Sequence, residues 1–219
     1  VNGDKLPDNS GGLTFSFSDE NMEALPTYSI KKDANSDFRV LCFNVLFDRL
    51  FEYEAPFLRQ IKAIDPDIIA FQEIYDHSSE QTKNKIQSFI NGGWYSAKQG
   101  SDIILVSKHP IKESYYVKGN GAFLIDVDGK EILLINAHLP CCDNDSGRQD
   151  EVDGIMAFIR DAKEGQSSLD LKKDTPILIM GDMNTVGKQR QLATLSDGDI
   201  SNEFTYGADF NPDWDGSAL

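Results

Sequence analysis

Polar residues that can ligate a cation or move a proton accumulate where the apolar runs of this sequence end. Asn44 lies inside RVLCFNVLF, Glu73 follows IIAFQ, and Asp182 and Asn184 follow ILIMG. In the run EILLINAHL, period-two alternation puts Ile132, Leu134, Asn136 and His138 on one face, so Asn136 and His138 are neighbours at its far end. The two-residue spacing of Asp182 and Asn184 lets both point the same way if the chain stays extended. Four strand ends therefore offer an amide, a carboxylate, an imidazole and a carboxylate–amide pair. Brought together, they make an oxygen-rich pocket suited to Mg2+ or Mn2+. Such a pocket suits phosphoryl chemistry. A cation withdraws charge from phosphate oxygens, a carboxylate orients or deprotonates water, and amides and an imidazole donate to the crowded oxygens of the transition state.

The elements that must position these residues can be read from hydrophobic pattern. Residues 39–47 are β-branched and aromatic enough for a buried strand, and Cys42 within them reads as a small core residue. Phe57, Ile61 and Ile64 are spaced for one apolar helix face over residues 54–64, with Asp65-Pro66 as the stop. Residues 68–71 form a short buried strand. Residues 79–90 form a second helix, ended by Gly92-Gly93, and 103–106 a third strand. Residues 123–127 and 131–139 flank Asp128-Gly129, a pair that tolerates the positive φ of a tight hairpin turn. A helix over 149–162 and a strand over 176–180 follow. Strands with intervening helices plus an antiparallel hairpin predict an α/β domain with mixed sheets and exclude a purely parallel doubly wound sheet. Residues 1–36 are polar and read as an N-terminal arm or the end of an upstream segment, with one short strand over 14–18.

Composition narrows the partners. The chain has 219 residues with 40% hydrophobic and 26% charged, an ordinary globular mixture. With 21 Lys+Arg against 36 Asp+Glu, the net charge of −15 disfavours long DNA and anionic membranes. No apolar run approaches the ~18 residues of a membrane span. Three cysteines are too few for a disulfide scaffold, and the adjacent Cys141 and Cys142 read as free thiols because disulfide geometry is strict. The start at Val1 leaves the compartment open, with a secreted or periplasmic location implied if Val1 is a processed end.

Several pieces in order resemble the endonuclease/exonuclease/phosphatase family, the DNase I-like fold. They are LCFNV with Asn44, DPDIIAFQEI with Glu73, SDIILVSKHPI, INAHLP with His138, and ILIMGDMN with Asp182 and Asn184. The resemblance implies a four-layer sandwich of two mixed β-sheets flanked by helices, and divalent-metal hydrolysis of phosphate esters. By position, Glu73 resembles the principal metal ligand, and Asn44 the first-strand amide near metal and phosphate. His138 resembles the histidine that hydrogen-bonds the phosphate. Asp182 resembles the residue that orients the attacking water, and Asn184 the neighbour that holds the transition state. Gln72 would support Glu73, and Arg148 would touch substrate phosphate or lie on the surface. The substrate implied is a small phosphate ester, a nucleotide or a lipid head group; its identity and the oligomeric state stay open.

Two departures qualify the resemblance. Cys42-Phe43-Asn44 stands where the family usually has Thr-Trp-Asn or Thr-Tyr-Asn. The family ends with a strand bearing Asp and then an Asp-His pair, whereas no histidine follows His138 here. The expectation is therefore a domain over 37–219 that is C-terminally incomplete, with an exposed sheet edge. Its rival is a non-catalytic binding module, or a fragment whose last strands come from a second chain. Each site residue alone also has a bland explanation: a turn former for Asn44, a rim histidine for His138, a loop cap for Asp182 and Asn184. His77 and His109 read as exposed loop residues. NPDWDG (residues 211–216) only partly fits the start of a calcium loop.

Overall fold

The structure is a computed structural model that describes Lys32, residues 38–185 and residues 189–210. The short strand expected over 14–18, the partial calcium loop and nearly all of the N-terminal arm lie outside the described residues.

Among those residues the chain forms two four-stranded mixed sheets. The first contains β1 (Val40–Asn44), β2 (Ile68–Gln72), β3 (Tyr95–Gln99) and β4 (Ile103–Ser107), in the order β1-β2-β4-β3. The second contains β5 (Ile111–Val117), β6 (Asn120–Val127), β7 (Lys130–His138) and β8 (Ile177–Asp182), in the order β5-β6-β7-β8. One pair in each sheet is parallel, β1 with β2 and β7 with β8; the other neighbours are antiparallel. The expected hairpin is β6–β7, and Asp128 and Gly129 at its turn have φ of 52° and 86°.

Alternation sorts the apolar runs into three cores, and three cores require four layers. Ile68 and Ala70 of β2, Ile103 and Leu105 of β4, Phe123 and Ile125 of β6, and Ile132 and Leu134 of β7 meet between the sheets. The opposite faces of β2 and β4, with Ile69, Phe71, Ile104 and Val106, pack beneath α2 (Glu54–Ile64) and α3 (Ser79–Phe89), just after the single-turn α1 (Arg49–Glu52). Leu133, Ile135 and Ala137 of β7 pack beneath α4 (Asp145–Lys163), beside which lie α5 (Arg190–Asp197) and α6 (Glu203–Tyr206). Each fully buried Ile or Leu contributes about 1.5–3 kcal/mol, so central strands buried on both faces hold the sandwich together. No helix among the described residues is long and apolar enough to cross a membrane.

Two strands were illegible in the sequence, as were α1, α5 and α6, and three side chains lie elsewhere than expected. β3 (YSAKQ) and β5 (IKESYYV) are edge strands with much exposed surface, so neither carries a clean apolar pattern. Cys42 is exposed rather than part of the core. It lies on β1, which among the described residues has a neighbour on one side only and no fully buried position. Likewise β8 pairs with β7 alone among the described residues. Cys141 and Cys142 are free and exposed. His77 and His109 are half-buried rather than exposed, since each packs an aromatic ring, Phe51 and Phe38 respectively.

Candidate active site

The parallel pairs put chemistry at one end of the sandwich. Asn44 is in register with Gln72 across β1 and β2, and His138 with Asp182 across β7 and β8. All four strands therefore finish at the same end, and side chains from the two sheets meet there.

A buried amide clasp fixes the separation of the sheets just behind that end. Gln72 Nε2 donates to Asn136 Oδ1 at 2.6 Å and to the Ala70 carbonyl at 3.1 Å, while Asn136 Nδ2 donates to the Phe71 carbonyl at 2.9 Å. Both side chains are fully enclosed, where an unpaired amide would be costly. Gln72 thus ties β2 to β7 through Asn136.

At the rim, Asn44 Nδ2 bridges two carboxylates, donating to Glu73 Oε1 at 2.8 Å and to Asp182 Oδ2 at 2.9 Å. Asn44 Oδ1 accepts from the Leu46 N–H at 2.9 Å. In this arrangement the amide braces the carboxylates and turns its oxygen away from them. Glu73 Oε2 accepts from the Phe47 N–H at 3.0 Å. Its own backbone has φ 64°, a strained value for a residue with a side chain, and such strain persists only where surrounding contacts enforce it.

His138 reaches the same cluster, with Nε2 3.8 Å from Glu73 Oε1 and Nδ1 2.6 Å from Asp102 Oδ2. The Asp102 hydrogen bond holds the imidazole above its ordinary pKa. Burial opposes that rise, and the charges of Asp102, Asp182 and Glu73 add to it. For Asp102, burial works upward but is outweighed by the bond and charge of His138 and by the Glu73 N–H at 3.2 Å, so its carboxyl titrates below the usual range. Asn120 Oδ1 accepts from the His138 N–H at 2.8 Å and fixes the strand beneath the ring.

Asn184 is close but turned aside. Its N–H donates to Asp182 Oδ1 at 3.3 Å, and its side chain donates to the Leu139 carbonyl at 2.8 Å. Arg148 is not brought to the cluster. It is 4% exposed, and Nη1 donates to the Pro140 and Cys142 carbonyls, so it shapes the loop after His138. Neither placement expected for it, on substrate or on the open surface, matches this position. Arg148 lies in the first turn of α4, where side chains lean toward the helix N-terminus, and this carries its guanidinium back to the Pro140 and Cys142 carbonyls.

Asp102 carries no strand-end signal in the sequence, because it lies before a strand rather than after one. It precedes β4, whose antiparallel pairing with β2 puts the start of β4 beside the end of β2. A polar residue at the beginning of an apolar run is the signal, once that pairing is known.

The donor set fits a divalent cation. One ligand atom from each of Glu73, His138 and Asp182 lies within 4.8 Å of the others. Among the described residues no Lys or Arg pairs with either carboxylate, so their charge is balanced only by hydrogen bonds and the imidazole. The two carboxylates are hard oxygen donors of the kind Mg2+ or Mn2+ accepts, and the His138 imidazole stands beside them.

Gly181 sets the position of Asp182. It has φ +143°, and a Cβ there would lie 1.9 Å from the Ala137 carbonyl oxygen across the parallel pair. The oxygen belongs to the backbone and a Cβ is fixed by its own, so neither can rotate away. Gly181→Ala is expected to lower stability by about 3 kcal/mol, the upper range of overpacking costs, and to pull Asp182 off the Asn44 bridge. Urea unfolding reads the first effect, and an unchanged midpoint would show that β8 relaxes freely.

A sequence model described as the endonuclease/exonuclease/phosphatase family matches residues 41–218. No curated protein matches the chain. Among solved structures, the catalytic domain of human nocturnin with bound sulfate is similar at 13% identity and TM-score 0.56, covering 79% of this chain and 77% of that one. Sphingomyelinase C from Streptomyces griseocarneus is similar at 17% identity and TM-score 0.54, covering 73% and 70%. A mutant of beta toxin from Staphylococcus aureus with bound magnesium ions is similar at 20% identity and TM-score 0.50, covering 73% and 70%. At such identities the likeness concerns the fold, and it is the fold described above: two mixed sheets with flanking helices. With the motifs of Asn44, Glu73, His138 and Asp182 inside the matched region, the chain belongs to the endonuclease/exonuclease/phosphatase family.

Proposed function

We propose that the protein is a divalent-cation-dependent hydrolase of phosphate esters, with a small molecule, nucleotide or lipid head group as substrate. The observation that carries this reading is the Asn44 bridge between Glu73 and Asp182, with His138 held beside it by Asp102. Glu73 is the principal metal ligand in this reading. Mg2+ or Mn2+ bound there would supply charge withdrawal from the phosphate oxygens and the leaving oxygen. The fold shared with a beta toxin that holds magnesium supports that choice.

The residues divide the remaining work. Asp182 accepts a proton from water or orients it, and the water oxygen bonds to phosphorus as the bond to the ester oxygen breaks. The departing alcohol takes up a proton, and the second product is the shortened phosphate. His138 presents Nε2, because Nδ1 is engaged by Asp102. Its raised pKa favours the protonated ring, whose Nε2–H donates to a phosphate oxygen. Asn44 keeps the carboxylates apart and oriented. Asn184 restrains Asp182 through its N–H and is the assigned partner of the transition state, a role that requires its amide to leave the Leu139 carbonyl. Arg148 acts through the loop it holds.

The test is hydrolysis of bis(p-nitrophenyl) phosphate and p-nitrophenyl phosphate with Mg2+, with Mn2+ and with EDTA. Release that requires metal is expected, and the preferred ester separates diesterase from monoesterase. Folded protein that releases nothing with either metal would return the domain to a binding role.

A further inference from the structure

Large apolar side chains stand in the open beside the carboxylate cluster. Leu46, Phe47 and Tyr75 are 49%, 66% and 37% exposed. Single exposed apolar residues are ordinary, but a contiguous group at the lip of a polar site marks a place where something apolar binds.

The group is held rigidly. Leu46, Phe47 and Asp48 have consecutive φ of 48°, 53° and 60°, a run of left-handed conformations that bulky side chains rarely adopt. Contacts enforce it. The Phe47 N–H donates to Glu73, and the Asp48 N–H donates to the Glu73 carbonyl at 2.9 Å. The buried Asp48 carboxylate accepts from the Tyr75 and Asp76 N–H groups at 2.8 and 3.1 Å and meets His77 Nδ1 at 2.7 Å. From beneath, Lys98 Nζ donates to the carbonyls of Ile74, Tyr75 and His77. Phe47 and Tyr75 are thereby stacked, with ring centroids 5.6 Å apart and planes 25° apart. Tyr75 remains neutral, since burial and then the charges of Asp102, Glu73 and Asp48 push its hydroxyl up to about 12.

Resting on the phosphate-ester reading above, we propose that Phe47, backed by Tyr75, is a stacking platform for a planar ring carried by the substrate, as in a nucleotide. One face of the Phe47 ring is covered by Tyr75, while the residue is two-thirds exposed, which leaves the other face open. The Phe47 N–H donates to Glu73 Oε2, so the platform stands on the turn that contacts the proposed metal ligand. A flat ring gains from a preset aromatic face because little side-chain freedom is lost on binding. The net charge of −15 argues against a bilayer of anionic lipid as the occupant.

The experiment is calorimetric titration of the full chain, with Mg2+ present, by adenosine 5′-monophosphate, ribose 5-phosphate and adenosine. Adenosine 5′-monophosphate is expected to bind about tenfold more tightly than ribose 5-phosphate, the low to middle range for one stacked base. Phe47→Leu keeps the backbone N–H and the bulk but removes the flat face, and should bring the two affinities within about twofold. Phe47→Trp should keep the preference. Equal binding by the unaltered chain, or a preference that survives Phe47→Leu, overturns the platform and leaves the phosphate-ester reading standing. Adenosine binding that depends on Phe47, with no binding of ribose 5-phosphate, keeps the platform and sinks the phosphate-ester reading. No binding of all three overturns both. Phosphatidylcholine vesicles that bind the chain only with Phe47 intact, without any ring preference, would also overturn it and give the patch to lipid.

Discussion

Glu73→Gln is expected to reduce metal-dependent hydrolysis to background, a loss of about 10³-fold if the cation supplies several kcal/mol of transition-state stabilisation. The substitution preserves shape and removes one of the two carboxylates that draw a cation to the cluster. It also disturbs the hydrogen bonds. Two donors converge on Glu73, Asn44 Nδ2 on Oε1 and the Phe47 N–H on Oε2. A glutamine must turn its NH2 toward one of them, so the Asn44 bridge or the Phe47 turn is lost. Binding can be followed without turnover. A ligand that prefers the folded state raises stability by RT ln(1 + [L]/Kd), so Mg2+ should raise the melting temperature of the unaltered chain and not that of the variant. Equal Mg2+ stabilisation and equal turnover in both proteins would remove Glu73 from the metal site.

The layers of the sandwich were legible where strands are buried on both faces. IIAFQ, IILVS and EILLINAHL read as near-continuous apolar runs because each is covered by a second sheet on one side and a helix on the other. The helix over 54–64 matched to the residue, since its apolar face and its Asp-Pro stop coincide. Edge strands were not legible. Nothing in YSAKQ distinguishes a strand from a loop until β4 pairs with it. The same edge effect misplaced Cys42, whose strand pairs on one side only among the described residues.

The site was legible in part for a topological reason. Parallel pairing brings strand C-termini together, so polar residues after apolar runs are candidates for convergence, and Asn44, Glu73, His138 and Asp182 do converge. Residues that act from other directions escaped. Asp102 enters from the start of an antiparallel strand, Asn120 from the start of β6, and Asp48 and Lys98 from loop and edge positions. Their roles depend on which loops lie above them, and no local pattern encodes that. Arg148 shows the converse. A charged residue at a helix start suggested a ligand contact, but three-dimensional neighbours supplied backbone carbonyls first.

Asp102→Asn is expected to lower turnover about 10- to 100-fold, the usual cost of removing a partner that orients a site histidine, and to move the titration of His138 downward. The Asp102 bond is the main cause holding His138 up, and the charges of Asp182 and Glu73 contribute less. An amide whose oxygen takes the Oδ2 position keeps both bonds, from His138 Nδ1 and the Glu73 N–H, but removes the charge and the Oδ1 acceptor of Ser101 Oγ. The stability effects have opposite signs on the two sides of the pH scale. His138 is raised on folding, so its contribution is fully present below its unfolded value, about 6.5, and is lost as pH climbs through the higher folded value. Asp102 is depressed on folding, so its contribution is present above about 3.9 and is lost as pH falls through the lower folded value. In EDTA, the unaltered chain should therefore be most stable between those limits, and Asp102→Asn should show a flatter profile with both shoulders reduced. Urea midpoints across pH measure the profile, and the imidazole C2–H shifts of His138 give its titration directly. If His138 in Asp102→Asn titrates where it does in the unaltered chain, the carboxylates of Glu73 and Asp182 set its charge, and Asp102 serves only to aim the ring.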